Sequence, residues 1–337
     1  MIQLEQLAPI RPCWRDNALF TKLLADSRVL VTGGGGTIGT GLIVRLLQLG
    51  VSHIRVVEHS EQALYELMVS AYGQHIEPVL GDLMDSSVLQ RAVPDVDIVF
   101  HAAAYKHVPI LEHEPLAAIR NNFLATRKLL ESCKKHSIER VVCVSTDKAV
   151  EPISWLGITK KLVEWDARRE GVVCVRLPNV WNSSGGVIPR MVGQASRHMP
   201  VTLTDSEATR FFVSLDEAVD AIISAAALGI DCATLVADPG PAVRILDIAS
   251  MIVKSAGLGP EMIRKIGLRP GDKLHEQLFA TDEERQPTSI SGIYQATPRS
   301  DTLPVSMDNL AASLEAALTA ADVAAANAAF AKERQAS

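Results

Sequence analysis

Aromatic residues make up only 4% of this 337-residue chain, so aliphatic side chains must supply most of its core. Basic runs are missing as well: 33 lysines and arginines stand against 39 aspartates and glutamates, for a formal net charge of −6. Without a basic stripe the chain lacks the electrostatic footprint of a nucleic-acid binder. The five cysteines (Cys13, Cys133, Cys143, Cys174, Cys232) are odd in number and form no C-x-x-C pair. That argues against a disulfide framework or a zinc site, and for reduced thiols in a cytoplasmic setting. The nine histidines show no ligand-like spacing, so no metal is expected. Glu5, Pro9, Pro12, Arg15 and Asp16 break up the N-terminus, leaving no signal-peptide stretch. No later uncharged run approaches membrane-spanning length, so a soluble protein is expected.

What is present describes an ordinary globular chain, 47% hydrophobic and 21% charged. Its length exceeds a single core and predicts one large domain with a smaller companion. Short β-branched runs at Arg28–Thr32, Ile54–Glu58, Ile76–Leu80, Asp97–Ala102, Arg140–Ser145 and Val172–Arg176 alternate with helical stretches. Parallel neighbours need crossover helices, so this alternation predicts an α/β fold with a doubly wound parallel sheet of Rossmann type. Residues 28–178 are assigned to that domain, with 213–230 returning to it as a helix. The Pro/Gly-punctuated segments 179–212 and 231–300 are assigned to a smaller substrate domain. Residues 1–27 read as a packing or oligomer-contact arm, and 301–337 as a tail ending in an amphipathic helix.

The run Thr32-Gly33-Gly34-Gly35-Gly36-Thr37-Ile38-Gly39 follows an apolar strand and opens a helix. In that context Gly33, Gly36 and Gly39 permit a tight turn and close backbone approach to a pyrophosphate. The helix start at Thr37 and Ile38 offers free N–H groups and a positive dipole end. Glu58 ends the second strand, where an acidic residue can accept hydrogen bonds from ribose hydroxyls, which favours NAD over NADP. His59 and Ser60 could still accommodate a 2′-phosphate. Asp82, followed by Leu83, is placed to face an adenine; helix capping by Asp82 or Asp85 is the alternative.

Further along, Phe100-His101-Ala102-Ala103-Ala104-Tyr105-Lys106-His107-Val108-Pro109, Ser145-Thr146-Asp147-Lys148-Ala149-Val150 and Gly157-Ile158-Thr159-Lys160 carry a resemblance. It continues through Val187-Ile188-Pro189, Thr209-Arg210-Phe211-Phe212 and Leu268-Arg269-Pro270-Gly271-Asp272-Lys273-Leu274, spanning most of 28–280. The chain resembles the extended short-chain dehydrogenase/reductases, in particular the capsular-polysaccharide type of UDP-N-acetylglucosamine 4,6-dehydratase. The resemblance implies a nucleotide-sugar substrate, recycled NAD (with NADP the other option) and a homo-oligomer. It implies that Lys148 abstracts the carbon-5 proton, that Asp147 protonates the departing 6-hydroxyl and that Thr146 hydrogen-bonds the 4-oxygen. Lys160 would bind the nicotinamide ribose. Ala102, Ala103, Ala104, Lys106 and Asn121 would join the cofactor site, and Lys106, His107, Asn179, Arg190, Arg210 and Arg269 the sugar-nucleotide pocket.

This chemistry asks burial to raise an aspartate from about 3.9 and to lower a lysine from about 10.4. The sequence departs from the family twice. Leu156 stands where short-chain dehydrogenases carry the tyrosine of Tyr-x-x-x-Lys, and leucine cannot act as a base; a membrane-attached branch of the resembled dehydratases also lacks that tyrosine. Residues 1–27 are similar to the stretch preceding that branch's catalytic domain. Pro178, Trp181 and Ser184 alter a Gly-Asn-Val and Gly-Ser-Arg pattern, leaving the sugar or nucleotide open. Two other functions compete: a nucleotide-sugar epimerase, and a catalytically silent NAD-binding sensor or scaffold.

Overall fold

Strands buried on both faces should be nearly continuous apolar runs. In the computed structural model, which describes residues 17–299 and 307–335, the expected strands form β1 (Arg28–Thr32), β2 (His53–Glu58), β3 (Ile76–Leu80), β4 (Ile98–His101), β5 (Arg140–Thr146) and β6 (Val173–Leu177), of which β3, at the sheet edge, is mostly exposed. Each lies within one residue of its expected bounds. Short strands β7 (Asn179–Val180), β8 (Val201–Leu203), β9 (Thr209–Arg210) and β10 (Phe212–Val213) follow, then β11 (Thr234–Ala237), β12 (Val243–Arg244), β13 (Ile263–Lys265), β14 (Glu283–Pro287) and β15 (Ile293–Pro298). One nine-stranded sheet runs β14-β15-β11-β6-β5-β4-β1-β2-β3. It is parallel except at β15, which is antiparallel to both β11 and β14. The strand order reverses at β1, and open α/β sheets bind ligands in the crevice that such a reversal leaves.

This sheet corrects the assignment of 231–300 at its two ends, where β11, β14 and β15 extend the large sheet beyond β6, while the stretch from Val243 to Ile263 packs in the smaller lobe. The physical reason is burial of an open edge. Leu235, Val236 and Ala237 are wholly buried, and the fully buried Arg176 of β6 pairs with Glu164 (2.7 Å) and with Glu283 of β14 (2.6 Å). A buried guanidinium cannot be left alone, so the last strands must come home to it.

Two apolar layers cover the faces of the sheet, and a third cluster around Trp181, Met191, Phe212 and Ile252 forms the smaller lobe. The helix Leu215–Leu228 starts at a Ser214/Glu217 capping box and stops at Gly229 in the left-handed region. It packs on the helix Thr37–Gln48, where a Cβ on Gly41 would meet Leu215 at 2.9 Å. Within the proposed arm, the helix Asn17–Leu24 buries Phe20 and Leu24 against that same layer; residues 1–16, with Cys13, lie outside the described residues. The expected single tail helix is two, Met307–Thr319 and Val323–Gln335. Ala321, with φ +54°, breaks the helical run between them. Residues 300–306 and 336–337 lie outside the described residues.

Candidate active site

The turn after β1 is shaped by what cannot fit there. Gly33 has φ +71°, and a Cβ on it would lie 2.7 Å from the Ala103 backbone. A Cβ on Gly39 would lie 2.1 Å from the Gly33 carbonyl oxygen. No side chain caps the helix that begins at Thr37, so its first turn is a cradle for an anion. Glu58, buried at the end of β2, accepts from the N–H groups of Gly35 (3.1 Å), His59 (2.9 Å) and Ser60 (3.0 Å). It thereby ties the turn to β2 while keeping acceptor capacity on Oε2. His59 Nδ1 lies 3.0 Å from Glu58, and its ring edge meets Tyr105. Ser60 caps the next helix.

Asp82 takes hydrogen bonds from the Met84 N–H (2.8 Å) and Arg120 (2.6 Å). Burial works to raise its pKa, but those two partners outweigh it and hold the carboxyl below its ordinary range. The capping role belongs to Asp85, which accepts from Ser87. Leu83 is buried in the apolar layer. Asn121 donates to Asn122, and it is Asn122 that grips the loop, through the N–H (2.8 Å) and carbonyl (2.9 Å) of Tyr105. Asn122 sits in a π-turn, Ile119–Leu124, a device that recurs beside functional sites. Glu58, His59, Ser60, Asp82, Leu83, Ala103 and Asn121 all stand outside the lining of the main cleft.

That cleft, of about 960 Å³, brings together Gly33, Gly36, Thr37, Ile38, Gly39, Ala102, Ala104, Lys106, His107, Thr146, Lys148, Lys160, Asn179, Arg190, Arg210 and Arg269. Over the phosphate turn the Ser184 peptide forms a strap: its N–H donates to Thr37 Oγ1 (3.1 Å) and its carbonyl accepts from Lys106 Nζ (2.6 Å). Burial pulls Lys106 below the ordinary lysine value, and burial with the Lys106 charge does the same to His107. Lys160 is buried and donates to the Val144 carbonyl (2.8 Å), and burial lowers its pKa. Beneath it His101 bridges Thr32 (2.7 Å) and Thr126 (2.8 Å). Burial first, then the Lys160 charge, brings His101 down to about 3, so it is neutral.

Asp147 is wholly buried behind the cleft wall. Its Oδ1 accepts from Thr146 Oγ1 (3.0 Å) and from Lys148 Nζ (2.8 Å), and its Oδ2 has no partner. Lys148 also donates to Asn179 Oδ1 (3.4 Å), whose own Nδ2 is fixed on the Phe211 carbonyl (3.1 Å). The expectation that burial lowers Lys148 is corrected here. Burial does act that way, but the carboxylates of Asp147 and Glu276 overcome it and hold the ammonium above its ordinary range. Leu156 is 5% exposed and lines the cleft where the tyrosine would stand. The neighbouring Thr159 hydroxyl is turned back onto the Trp155 and Leu156 carbonyls.

Arg210 spends its guanidinium on the carbonyls of Thr209, Leu274 and Lys273, at 2.7 to 3.0 Å. Arg269 is tied to Asp272 (2.8 Å). Arg190 has a buried Nε without a partner, and burial together with the Arg269 charge pulls it below the ordinary arginine value. Sequence reading missed Glu276, His101, Asn122 and the Ser184 strap. Glu276 lies two residues beyond the Leu268–Leu274 motif, so a charge just past that conspicuous stretch was the available signal.

A doubly wound sheet with a glycine turn at its switch point, and Thr-Asp-Lys at the end of β5, defines an extended short-chain dehydrogenase/reductase. Residues 29–298 match the family described as polysaccharide biosynthesis protein, and the chain belongs to that family. It is 37% identical over 273 residues to an uncharacterized membrane protein of Methanocaldococcus jannaschii, covering 77% of this chain and 82% of that one. With the capsular polysaccharide biosynthesis protein CapD of Staphylococcus aureus it shares 34% over 310 residues, 87% of this chain but only 52% of CapD. A UDP-glucose 4-epimerase of Rickettsia bellii is 30% identical, covering 81% and 83%. Among solved structures, Pen from Bacillus thuringiensis superposes with TM-score 0.76 at 26% identity, covering 82% of this chain and 90% of that one. MoeE5 in complex with UDP-glucuronic acid and NAD does so with TM-score 0.64 at 26% identity, covering 74% and 88%. Among the described residues no helix is long and apolar enough to cross a membrane.

Proposed function

We propose that the chain is an NAD-dependent nucleotide-sugar 4,6-dehydratase acting on UDP-N-acetylglucosamine or a related UDP-N-acetylhexosamine. Its product is a 4-keto-6-deoxy sugar nucleotide for polysaccharide or glycoconjugate biosynthesis. The observation that carries this reading is the linked set Thr146, Asp147 and Lys148 at the cleft, because a 4-epimerase needs neither a leaving-group acid nor a carbon-5 base. The uncapped helix start and the spare Glu58 acceptor suit a dinucleotide. Arg190 and Arg269, two guanidinium groups with one nearby carboxylate, suit the diphosphate of the substrate.

Held by the Gly33–Gly39 turn and Glu58, NAD would supply a reversible hydride store for carbons 4 and 6 of the sugar. The chain supplies the proton traffic. Thr146 receives the 4-hydroxyl proton and passes its own along its hydrogen bond to Asp147, the step that Leu156 cannot perform. Lys148, as the free amine, takes the carbon-5 proton, while Asp147, behind the wall, sends its proton back through the Thr146 hydroxyl to the departing 6-hydroxyl, which leaves as water. Lys148 then returns its proton to carbon 5, and return to the opposite face there would give C5 epimerisation. The balance closes: the substrate loses one water, and Thr146, Asp147 and Lys148 end as they began.

The epimerase relative favours a 4-epimerase as the second reading. Purified protein incubated with UDP-N-acetylglucosamine and NAD separates the two by mass spectrometry and NMR of the sugar nucleotide. Loss of one water without accumulated NADH supports dehydration. An isomer of unchanged mass sinks it in favour of epimerisation, and binding without turnover of any UDP-N-acetylhexosamine would leave a silent sensor or scaffold.

A further inference from the structure

Glu276 is a buried carboxylate for which the proposed scheme has so far no task. It lines the cleft, its side chain is 2% exposed, and Oε2 has no hydrogen-bond partner. Three cations ring it, all beyond hydrogen-bonding length: Lys148 Nζ at 3.8 Å, Arg210 Nε at 3.8 Å and Lys273 Nζ at 3.9 Å. Two of the three are committed elsewhere, Arg210 to the carbonyls of its own lobe and Lys273 to the Val150 carbonyl (2.5 Å). Lys148 is held by Asp147 and Asn179. A carboxylate hidden from water and hydrogen-bonded to nothing is costly as an anion, and burial pushes Glu276 up despite these cations.

Resting on the dehydratase reading, the difficulty is one of proton count. Lys148 rests as an ammonium and must become an amine, yet Asp147 has to stay open for the proton arriving through Thr146. We propose that Glu276 is the positioning residue that primes the base: it takes the proton from the Lys148 ammonium when substrate fills the cleft. One N–H bond breaks on Lys148, one O–H bond forms on Glu276 Oε1, and the two opposite charges vanish together. Expelling water from the cleft drives the exchange, since a low dielectric penalises an ion pair that makes no hydrogen bond more than the neutral pair. No external base is needed, and Glu276 keeps its proton through successive turnovers because Lys148 ends each one as an amine.

The test compares wild type, Glu276→Gln and Glu276→Asp as NAD-loaded protein. Glu276→Gln should lower kcat at neutral pH by about 100-fold, with KM and NAD affinity within about threefold. The lost activity should return as pH rises, because solvent then strips Lys148 before substrate closes the cleft. Glu276→Asp should regain part of the rate at neutral pH. A loss equal at every pH, or no loss, overturns the proposal. Titration of Lys148 after reductive ¹³C-methylation, with its resonance assigned by Lys148→Arg, reads the same contact without turnover. Its pKa should fall in Glu276→Gln, and an unchanged titration also overturns the proposal. Wild type that titrates as expected but dehydrates nothing overturns the dehydratase reading instead.

Discussion

On the β1 side of the cleft the ligand surface is main chain: a glycine turn, an uncapped helix start, and one glutamate holding N–H groups in place. On the β5 side it is charge: Asp147, Lys148, Arg210, Lys273 and Glu276 within a few ångströms of one another, the two carboxylates buried and the three cations half-buried. A surface of backbone dipoles is neutral whatever the pH and tolerates no added atoms. A surface of buried charges tolerates modest changes of shape but depends on its proton count. The two sides should therefore fail in different ways when altered.

The largest effect is expected from Lys148→Ala, which should cut kcat by about 10²–10⁴ while leaving NAD affinity, followed by fluorescence titration, unchanged. Activity retained by that variant would dissolve the contrast between the two sides. Gly39→Ala is its converse. A methyl group 2.1 Å from the Gly33 oxygen must push the turn open, at a cost of about 1–3 kcal/mol. NAD affinity should fall tenfold or more, while the titration of Lys148 stays as in wild type.

The smallest effect concerns the buried pair that carries the charged side onto the sheet. Burial would raise Glu283, but its hydrogen bonds to Arg176 and the Arg176 charge bring it from 4.5 to about 2. A depressed folded pKa means stability that is full above about pH 4.5 and lost as pH falls toward 2. Thermal melts should show Tm sliding through that window in wild type. In Glu283→Gln, Tm should start lower, because one partner of a buried pair is gone, and the slide should be shallower.

The six parallel strands were legible because each is a short apolar run of β-branched residues between turn signals, and a local pattern is all that such a strand requires. The glycine turn was legible for the same reason. Thr234–Ala237 and Glu283–Pro298 were read as parts of a second domain because proline and glycine punctuate them; only Arg176, inside the protein, requires them beside β6. Asn122 was passed over for Asn121, since a helix periodicity cannot show that one turn is π and rotates the next side chain toward Tyr105.

The sequence by itself determined the six strands β1–β6, the dinucleotide turn and the identity of the Thr146-Asp147-Lys148 run, all of which are set by neighbours a few residues apart. Tertiary structure decided what those groups can do. Asp147 and Glu276 are 129 positions apart in sequence, yet both face Lys148, and it is their joint charge, not burial, that sets its proton. Electrostatic interaction acts through space and grows as water is excluded, so the protonation of such a cluster exists only once the chain has closed around it.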